Sequence, residues 1–217
     1  MKERPILFSG QMVRAILEGR KTQTRRIAKL SDGSLVNDED VPSHGECDGL
    51  VIPAPDYVMD FAKSFPRWRR RDCPYGKPGD RLWVRETWGK VHYEGVDESP
   101  TIFYRADERD QERDELTRWR PSIHMPRWAS RINLEVVSVR VERLQDISEE
   151  DAMSEGIESW EERGVDDAQD YYRDYVTGGH VYNAKDSFRS LWQSINGPGS
   201  WEANPWVWVV EFKRIEP

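Results

Sequence analysis

Cysteine, histidine and long apolar runs are all scarce in this chain of 217 residues. The two cysteines, Cys47 and Cys73, are too few for a disulfide framework, and with His44 they have no fourth ligand at a spacing typical of structural zinc. No apolar run approaches the roughly 20 residues that a membrane helix needs. Residues 1–20 mix charged with apolar residues and lack the apolar core of a signal peptide. We therefore expect a cytoplasmic protein with reduced thiols, no membrane partner, and no metal or other cofactor.

The common catalytic signatures are also missing. The sequence contains no phosphate-binding loop of the GKS or GKT type, no GxSxG, no HExxH and no CxxC pair. His92, His124 and His180 are widely separated along the chain. These absences exclude the P-loop nucleotide hydrolases, the serine hydrolases of the α/β type and the HExxH zinc proteases.

Charge is unevenly distributed along a chain whose net charge is −8. Residues 1–30 carry eight basic and two acidic residues, a balance of +6, and residues 67–90 carry eight basic and three acidic residues, a balance of +5. Residues 118–131 contain four arginines and no acid, whereas residues 146–174 contain twelve acids and two arginines. This asymmetry allows a cationic site for a nucleotide or a nucleic-acid end. The alternative is that each cluster is an ordinary solvated face.

Hydrophobic periodicity predicts several short strands and a few helices. Strands are predicted at residues 5–8, 82–85, 131–144 and 205–215, and helices after Ser9, at 148–156 and at 187–195. Residues 101–106 are interpreted as the hairpin partner of the strand at 82–85. The apolar parity shifts after Val136, which indicates a β-bulge. Gly19 follows the first helix where a positive φ is favoured, so the chain should turn there and become extended.

These elements predict an α+β fold, a small mixed β-barrel with two or three helices and large loop insertions. Residues 31–76 are rich in Asp, Ser, Gly and Pro and are interpreted as an insertion with a short helix at 56–65. No internal repeat or long linker divides residues 1–217, so we expect one domain. Ten tryptophans argue against disorder, and we expect many of them in exposed loops.

The segment AILEGRKTQTRR, residues 15–26, is the most suggestive for chemistry. Neighbouring arginines disfavour a further positive charge on Lys21, and partial burial would act in the same direction, so the pKa of this lysine should be lowered. Such a lysine can act as a base and activate the hydroxyl of Thr24. In a straight strand these two side chains would face opposite sides, so their cooperation requires a bend after Gly19. The alternative is a solvated basic loop.

A second candidate is the segment SIHMPRWASR, residues 122–131. It combines His124, Arg127, Trp128 and Arg131. A mixture of arginine and tryptophan can stack on a base and hold a phosphate. The same residues are also compatible with the ordinary packing of a loop.

Four blocks of the sequence resemble one family. GRKTQTRR, residues 19–26, resembles the GxKxxxxR signature of the ASCH-domain family, small barrels related to the PUA RNA-binding fold. KPGDRLWV (77–84), ISEEDAMSEGI (147–157) and WVWVVEFKRI (206–215) resemble the turn and strand, the acidic helix and the closing strand that follow in that family. The resemblance implies a single ASCH/PUA-like domain. The rest of the chain resembles the insertions of larger, often phage-associated members, at 31–76, 107–125 and 157–204.

Some small bacterial members of the family are amidohydrolases that remove the acetyl group from N4-acetylcytidine. The resemblance implies that their catalytic lysine, threonine and glutamate correspond to Lys21, Thr24 and Glu155. Thr24, or a water, would attack the acyl carbonyl while Lys21 accepts its proton. Glu155 would hydrogen-bond the cytosine edge or return the proton to the leaving amine. The substrate-binding candidates are Gly19, Arg20, Arg26, His124, Arg127, Trp128 and Arg131.

Other relatives in the family are thought to bind or cleave RNA, so three hypotheses stand. The first is an amidohydrolase of the N4-acylcytidine type. The others are a non-catalytic module that binds RNA or a modified base, and a metal-independent ribonuclease. All three predict a nucleoside, nucleotide or RNA as the partner. The enzyme hypothesis additionally requires that Glu155 comes to meet Lys21 and Thr24.

Overall fold

The computed structural model describes residues 1–29, 35, 50–53, 68–71, 73–91, 101–107, 118–161 and 170–215. Within these ranges the chain is α+β, with a five-stranded sheet and three helices. The helices are α1 (Gly10–Leu17), α2 (Glu149–Ser154) and α3 (Ala184–Asn196). The strands are β1 (Glu3–Leu7), β2 (Gln23–Ile27), β3 (Leu50–Pro53), β4 (Trp68–Arg71), β5 (Arg81–Arg85), β6 (Trp88–Val91), β7 (Thr101–Tyr104), β8 (Asn133–Arg143), β9 (Ser159–Glu161), β10 (Asp170–Arg173), β11 (His180–Val181) and β12 (Trp206–Ile215). The α+β class predicted from the sequence is confirmed.

The main sheet has the strand order β1-β5-β8-β12-β2. β1 pairs with β5 in parallel, and the other neighbours are antiparallel. Where β8 meets β12, Glu211 lies opposite Ser138 and Phe212 opposite Val136, so Val137 is the extra residue of a bulge. The predicted parity shift is therefore confirmed.

The two outer strands of this sheet, β1 and β2, are linked by an arginine. Arg26 on β2 donates a hydrogen bond from Nη2 to the carbonyl oxygen of Leu7 at the end of β1, at 2.6 Å. The guanidinium of Arg26 also lies 5.3 Å from the centroid of the Phe8 ring. The sheet therefore curls far enough for one side chain to span its two edges.

The sheet separates two hydrophobic cores. Trp208 and Val210 of β12 face a core shared with α1, whereas Val207 and Val209 face a second core that contains residues of α3 and Ala152 of α2. This alternation follows from the period of two in a strand that is buried on both faces. Residues on opposite faces of β2 consequently meet different helices.

The described residues of the range 157–204 contribute to the second core. β9, β10 and β11 form a separate sheet in the order β11-β10-β9, and α3 packs beside α2. The helix predicted at 187–195 is confirmed as part of α3. The insertion predicted at 31–76 lies largely outside the described residues, and the helix predicted at 56–65 lies wholly outside them.

Two sequence predictions are wrong. Residues 101–104 pair with β6 and not with the strand at 82–85, because β5 already has β1 on one edge and β8 on the other. The tryptophans are also less exposed than expected. Trp128 is 62% exposed, but five others are at most 8% exposed: Trp83, Trp88, Trp192, Trp201 and Trp208. In the part of the chain described here, no helix is long and apolar enough to cross a membrane.

Candidate active site around Lys21 and Glu155

The turn after α1 sets the position of Lys21. The side chain of Ser9 caps the start of this helix by accepting a hydrogen bond from the backbone N–H of Met12. Just beyond its end, Gly19 has φ +78°, as predicted, and the chain reverses. The backbone N–H groups of Arg20 and Lys21 then both donate to the carbonyl oxygen of Ala15, at 2.9 and 3.0 Å. Lys21 therefore lies in a fixed turn just before β2 begins.

The end of α2 sets the position of Glu155. Ser148 caps the start of this helix, with its Oγ accepting from the backbone N–H of Asp151 at 3.1 Å, and the helix lies within the predicted range 148–156. Glu155 is the C-cap residue, and Gly156 follows with φ +80°. The backbone N–H of Thr22 donates to the carbonyl oxygen of Ser154 at 2.9 Å, which joins this helix end to the strand of the motif.

Lys21 and Glu155 lie 134 positions apart in the sequence and are in direct contact. The Nζ of Lys21 donates to the Oε2 of Glu155 at 2.8 Å and to its backbone carbonyl oxygen at 2.7 Å. The exposed fraction of the side chain is 0% for Lys21 and 3% for Glu155. The structure therefore brings together two of the three residues that the enzyme hypothesis requires, and it does so in a buried place.

Thr24 lies on one face of β2 and is 2% exposed. Its register partner is Val210, so its side chain faces the core that contains Val210 and Phe8. The Nζ of Lys21 lies 5.7 Å from the centroid of the Phe8 ring, which belongs to that same core. The Lys21 amine therefore lies beside the core that Thr24 faces, and among the described residues no hydrogen bond joins it to the Thr24 hydroxyl.

Burial dominates the electrostatics of Lys21. Removal from water lowers the pKa of its amine, and the Glu155 charge and hydrogen bond act in the opposite direction without cancelling the effect. The charges of Arg26 and Arg25 lower the pKa a little further. The sequence correctly predicted that the pKa of Lys21 is lowered. Burial contributes more to this lowering than the neighbouring arginines do.

Arg25 is the residue at this site that the sequence analysis missed. Its side chain is 0% exposed, and its Nη1 lies 3.3 Å from the Oε1 of Glu155. Its Nη2 lies 2.6 Å from Asp151 and 3.0 Å from Glu142. The period of a strand would have placed Arg25 opposite Thr24, toward the acidic helix, once β2 was known to start at Gln23.

The remaining motif residues have mainly structural contacts. Arg20 donates from Nη1 to the carbonyl oxygens of Gly156 and Ile157 at 2.9 and 3.1 Å, which fixes the chain after Glu155. Arg26 is partly exposed, and its buried Nε has no hydrogen-bond partner among the described residues. The buried Nε of Arg25 also lacks a partner there, so two arginines of the motif keep an unpartnered donor.

The second predicted group is separate from Lys21. His124, Arg127 and Trp128 are exposed, and Trp128 packs edge-on against the buried Trp88 with ring centroids 5.8 Å apart. Arg127 forms two hydrogen bonds with Glu3, at 2.9 and 3.0 Å. Within the described ranges, no hydrogen bond or ion pair joins this group to Lys21 or Glu155.

Arg131 is held on several sides. It forms a bidentate pair with Glu86 at 2.9 and 3.0 Å, and it lies 2.6 Å from Asp107. Its guanidinium also lies 3.9 Å from the centroid of the Tyr104 ring. Arg131 therefore has a structural role, linking Glu86 and Asp107. Fewer of its N–H donors are available to a ligand than the sequence suggested.

Metal binding would need acids, thiols or imidazoles clustered around one point. In the described part of the chain, no group of His, Cys, Asp and Glu is arranged to hold a metal ion. Cys73 is a buried free thiol whose pKa burial raises to about 11. Cys47 and His44 lie outside the described residues.

Gly156 permits the close approach of α2 to the motif. A Cβ at this position would lie 2.7 Å from the Cβ of Lys21 and 2.8 Å from that of Ala15. For Gly156→Ala we expect a loss of about 2–5 kcal/mol in the free energy of unfolding, from overpacking and a left-handed backbone together. Gly178→Ala is the matched control, because its φ is +77° and nothing lies within 4 Å of the new methyl group. Urea denaturation should give clearly unequal losses, and equal losses would contradict this packing.

The site thus contains a buried amine, a carboxylate bonded to it and, on the face of β2 opposite Arg25, the buried hydroxyl of Thr24. Its three functional side chains come from the turn after α1, from β2 and from the end of α2. Such a set can take a proton from a nucleophile and return it to a leaving group. No protein-family model, curated protein or solved structure matches this chain.

Proposed function

We propose that this protein hydrolyses an amide on a modified pyrimidine nucleoside, of the N4-acylcytidine type, with an ASCH/PUA-like barrel as its scaffold. The observation that carries the proposal is the buried pair of Lys21 and Glu155, with Nζ and Oε2 at 2.8 Å. The pyrimidine class comes from the resemblance of residues 19–26 to the family signature. The balance of +6 over residues 1–30 suits the phosphate of a nucleotide.

In the first step, the neutral amine of Lys21 accepts the proton of Thr24 while the threonine oxygen bonds to the acyl carbon. The lowered pKa of Lys21 supports this role, because a neutral amine is needed to act as base. The bond between the acyl carbon and N4 then breaks. The Lys21 ammonium returns the proton to N4, which leaves cytidine and an acyl ester on Thr24. Water then attacks the ester carbon while Lys21 accepts its proton, the bond from this carbon to the threonine oxygen breaks, and the Lys21 ammonium returns the proton to Thr24 as the carboxylic acid leaves.

Two further groups complete the proposed chemistry. Glu155 holds the Lys21 amine through two acceptors, its carboxylate and its backbone carbonyl, and so fixes the direction of proton transfer. Arg26 has an unpartnered Nε–H among the described residues and lies at the partly exposed side of the motif. That N–H is the donor we assign to the negative charge that develops on the acyl oxygen.

The direct test is to incubate the pure protein with N4-acetylcytidine and to measure cytidine and acetate by mass spectrometry. Wild type should release both. Thr24→Val should lose the activity, whereas Thr22→Val, an exposed threonine of the same motif, should keep it. Absence of cytidine with wild type would overturn the proposal. Binding of the nucleoside without turnover would instead favour the module that binds a modified base.

A further inference from the structure

The guanidinium of Arg25 links the Lys21–Glu155 pair to a network of ion pairs. It is completely buried and lies within 3.3 Å of three carboxylates, those of Glu155, Asp151 and Glu142. Of these three, Glu155 is the one that also contacts Lys21. The two oxygens of Glu155 are thus divided, with Oε2 on the lysine and Oε1 on the arginine.

This division matters when Lys21 loses its proton. The Lys21–Glu155 pair is then left with one uncompensated negative charge in a buried place, which is costly unless another cation lies close. The guanidinium is always charged, so it remains beside Oε1 in both protonation states of the lysine. A carboxylate without Arg25 would have only the lysine as its counter-charge and would hold the proton on it.

We propose that Arg25 is a positioning residue for the Lys21–Glu155 pair, which orients the carboxylate and compensates its charge so that the lysine can exist as the free amine. The role of Arg25 in catalysis rests on the proposed function. Its effect on the protonation of Lys21 does not, because that effect requires no substrate.

The charged groups that face the pair, or that belong to the ion-pair network joined to it by Arg25, come from four elements. They are Arg25 and Arg26 of β2, Asp151 of α2, Arg140 and Glu142 of β8, and Glu211 of β12. Arg140 lies 2.8 Å from Asp151 and also pairs with Glu142 and Glu211, and its side chain is 33% exposed. It belongs to the same network but makes no contact with Glu155 among the described residues. Arg140 is therefore the matched control for Arg25.

The test is a pH titration of Lys21 by NMR, in protein labelled with ¹³C and ¹⁵N at lysine. The Lys21 signals are assigned by their absence from Lys21→Met. In Arg25→Gln the titration midpoint of Lys21 should rise by about one pH unit or more, because a nearby positive charge is lost and Glu155 turns fully to the lysine. Arg140→Gln should leave the midpoint within about 0.3 units, since its charge is farther away and partly screened by water. An unchanged midpoint in Arg25→Gln, or an equal shift in Arg140→Gln, would overturn the inference.

A second variant covers the case in which Arg25→Gln does not fold. The double variant Arg25→Gln/Asp151→Asn removes the cation together with one of its acids, and it should show the same upward shift. Arg25→Lys keeps the counter-charge and should restore the wild-type midpoint. If wild type fails to hydrolyse N4-acetylcytidine but these shifts are seen, the proposed function fails and the inference stands. If turnover is seen and the midpoint does not move, the reverse holds.

Discussion

Lys21→Met should abolish the release of cytidine, lowering kcat/KM by about three orders of magnitude, within the range typical for loss of a general base. Methionine has a similar length and is apolar, so it fits a position whose side chain is 0% exposed. The fold should therefore persist while the proton acceptor is lost. The measurement is initial rates with N4-acetylcytidine, accompanied by circular dichroism to establish that the variant is folded.

The control for this variant is Lys213→Met. Lys213 lies on β12 with its side chain 60% exposed and forms a surface ion pair with Glu135. It should retain the wild-type rate, because its charge is solvated and makes no contact with Lys21 or Glu155. Comparable rates for Lys21→Met and wild type would remove the lysine from the mechanism.

The same mechanism predicts the direction of the pH dependence. A base is effective above its pKa, and burial lowers the pKa of Lys21 below its ordinary value. Activity should therefore be lost as the pH falls through this lowered value and be retained above it. In a plot of rate against pH, any activity that remains in Lys21→Met should no longer fall in this acidic range.

Much of the scaffold around the site is encoded locally. The caps at Ser9 and Ser148, the positive φ of Gly19 and the bulge at Val137 all follow from short stretches of sequence. Each depends on interactions among residues a few positions apart, or on the alternation of apolar residues along one strand. These features were predictable for that reason.

The partners of the strands were less predictable. Residues 101–104 have the pattern of a strand, but nothing in that pattern indicates that β5 is already paired on both edges. Competition for an edge is decided by residues far away in the sequence, here in β1 and β8. The hairpin was consequently assigned to the wrong strand.

The contact of Lys21 with Glu155 came from the resemblance and not from periodicity. On composition alone, Glu155 is one acid among the twelve of residues 146–174. Arg25 was missed for a related reason, because the four basic residues of GRKTQTRR look solvated until the strand register is known. Its burial depends on three carboxylates that arrive from α2 and β8.

The largest effect on stability should come from Glu155→Gln, with a loss of about 3–5 kcal/mol in the free energy of unfolding. Glutamine keeps the shape of the side chain and removes its charge. The loss of stability therefore reports the cost of leaving Lys21 and Arg25 without the carboxylate that they share, and not the cost of a cavity. Glu158→Gln is the matched control, since Glu158 pairs with Arg173 near the surface, with side chains 32% and 37% exposed. Such a pair contributes about 1 kcal/mol or less.

A double variant tests whether the loss arises from the stranded lysine. Lys21→Met/Glu155→Gln removes both charges of the pair, so it should be more stable than Glu155→Gln alone, as found when buried ion pairs are replaced together. Urea denaturation at neutral pH measures wild type, both single variants and the double variant, and this cycle of four proteins gives the coupling between the two sites. A loss for Glu155→Gln no greater than that for Glu158→Gln would mean that the carboxylate does not hold Lys21 in solution. The Lys21 amine would then lack the Glu155 carboxylate as a fixed partner. Both the orientation of the amine and its proposed role as a base depend on that partner.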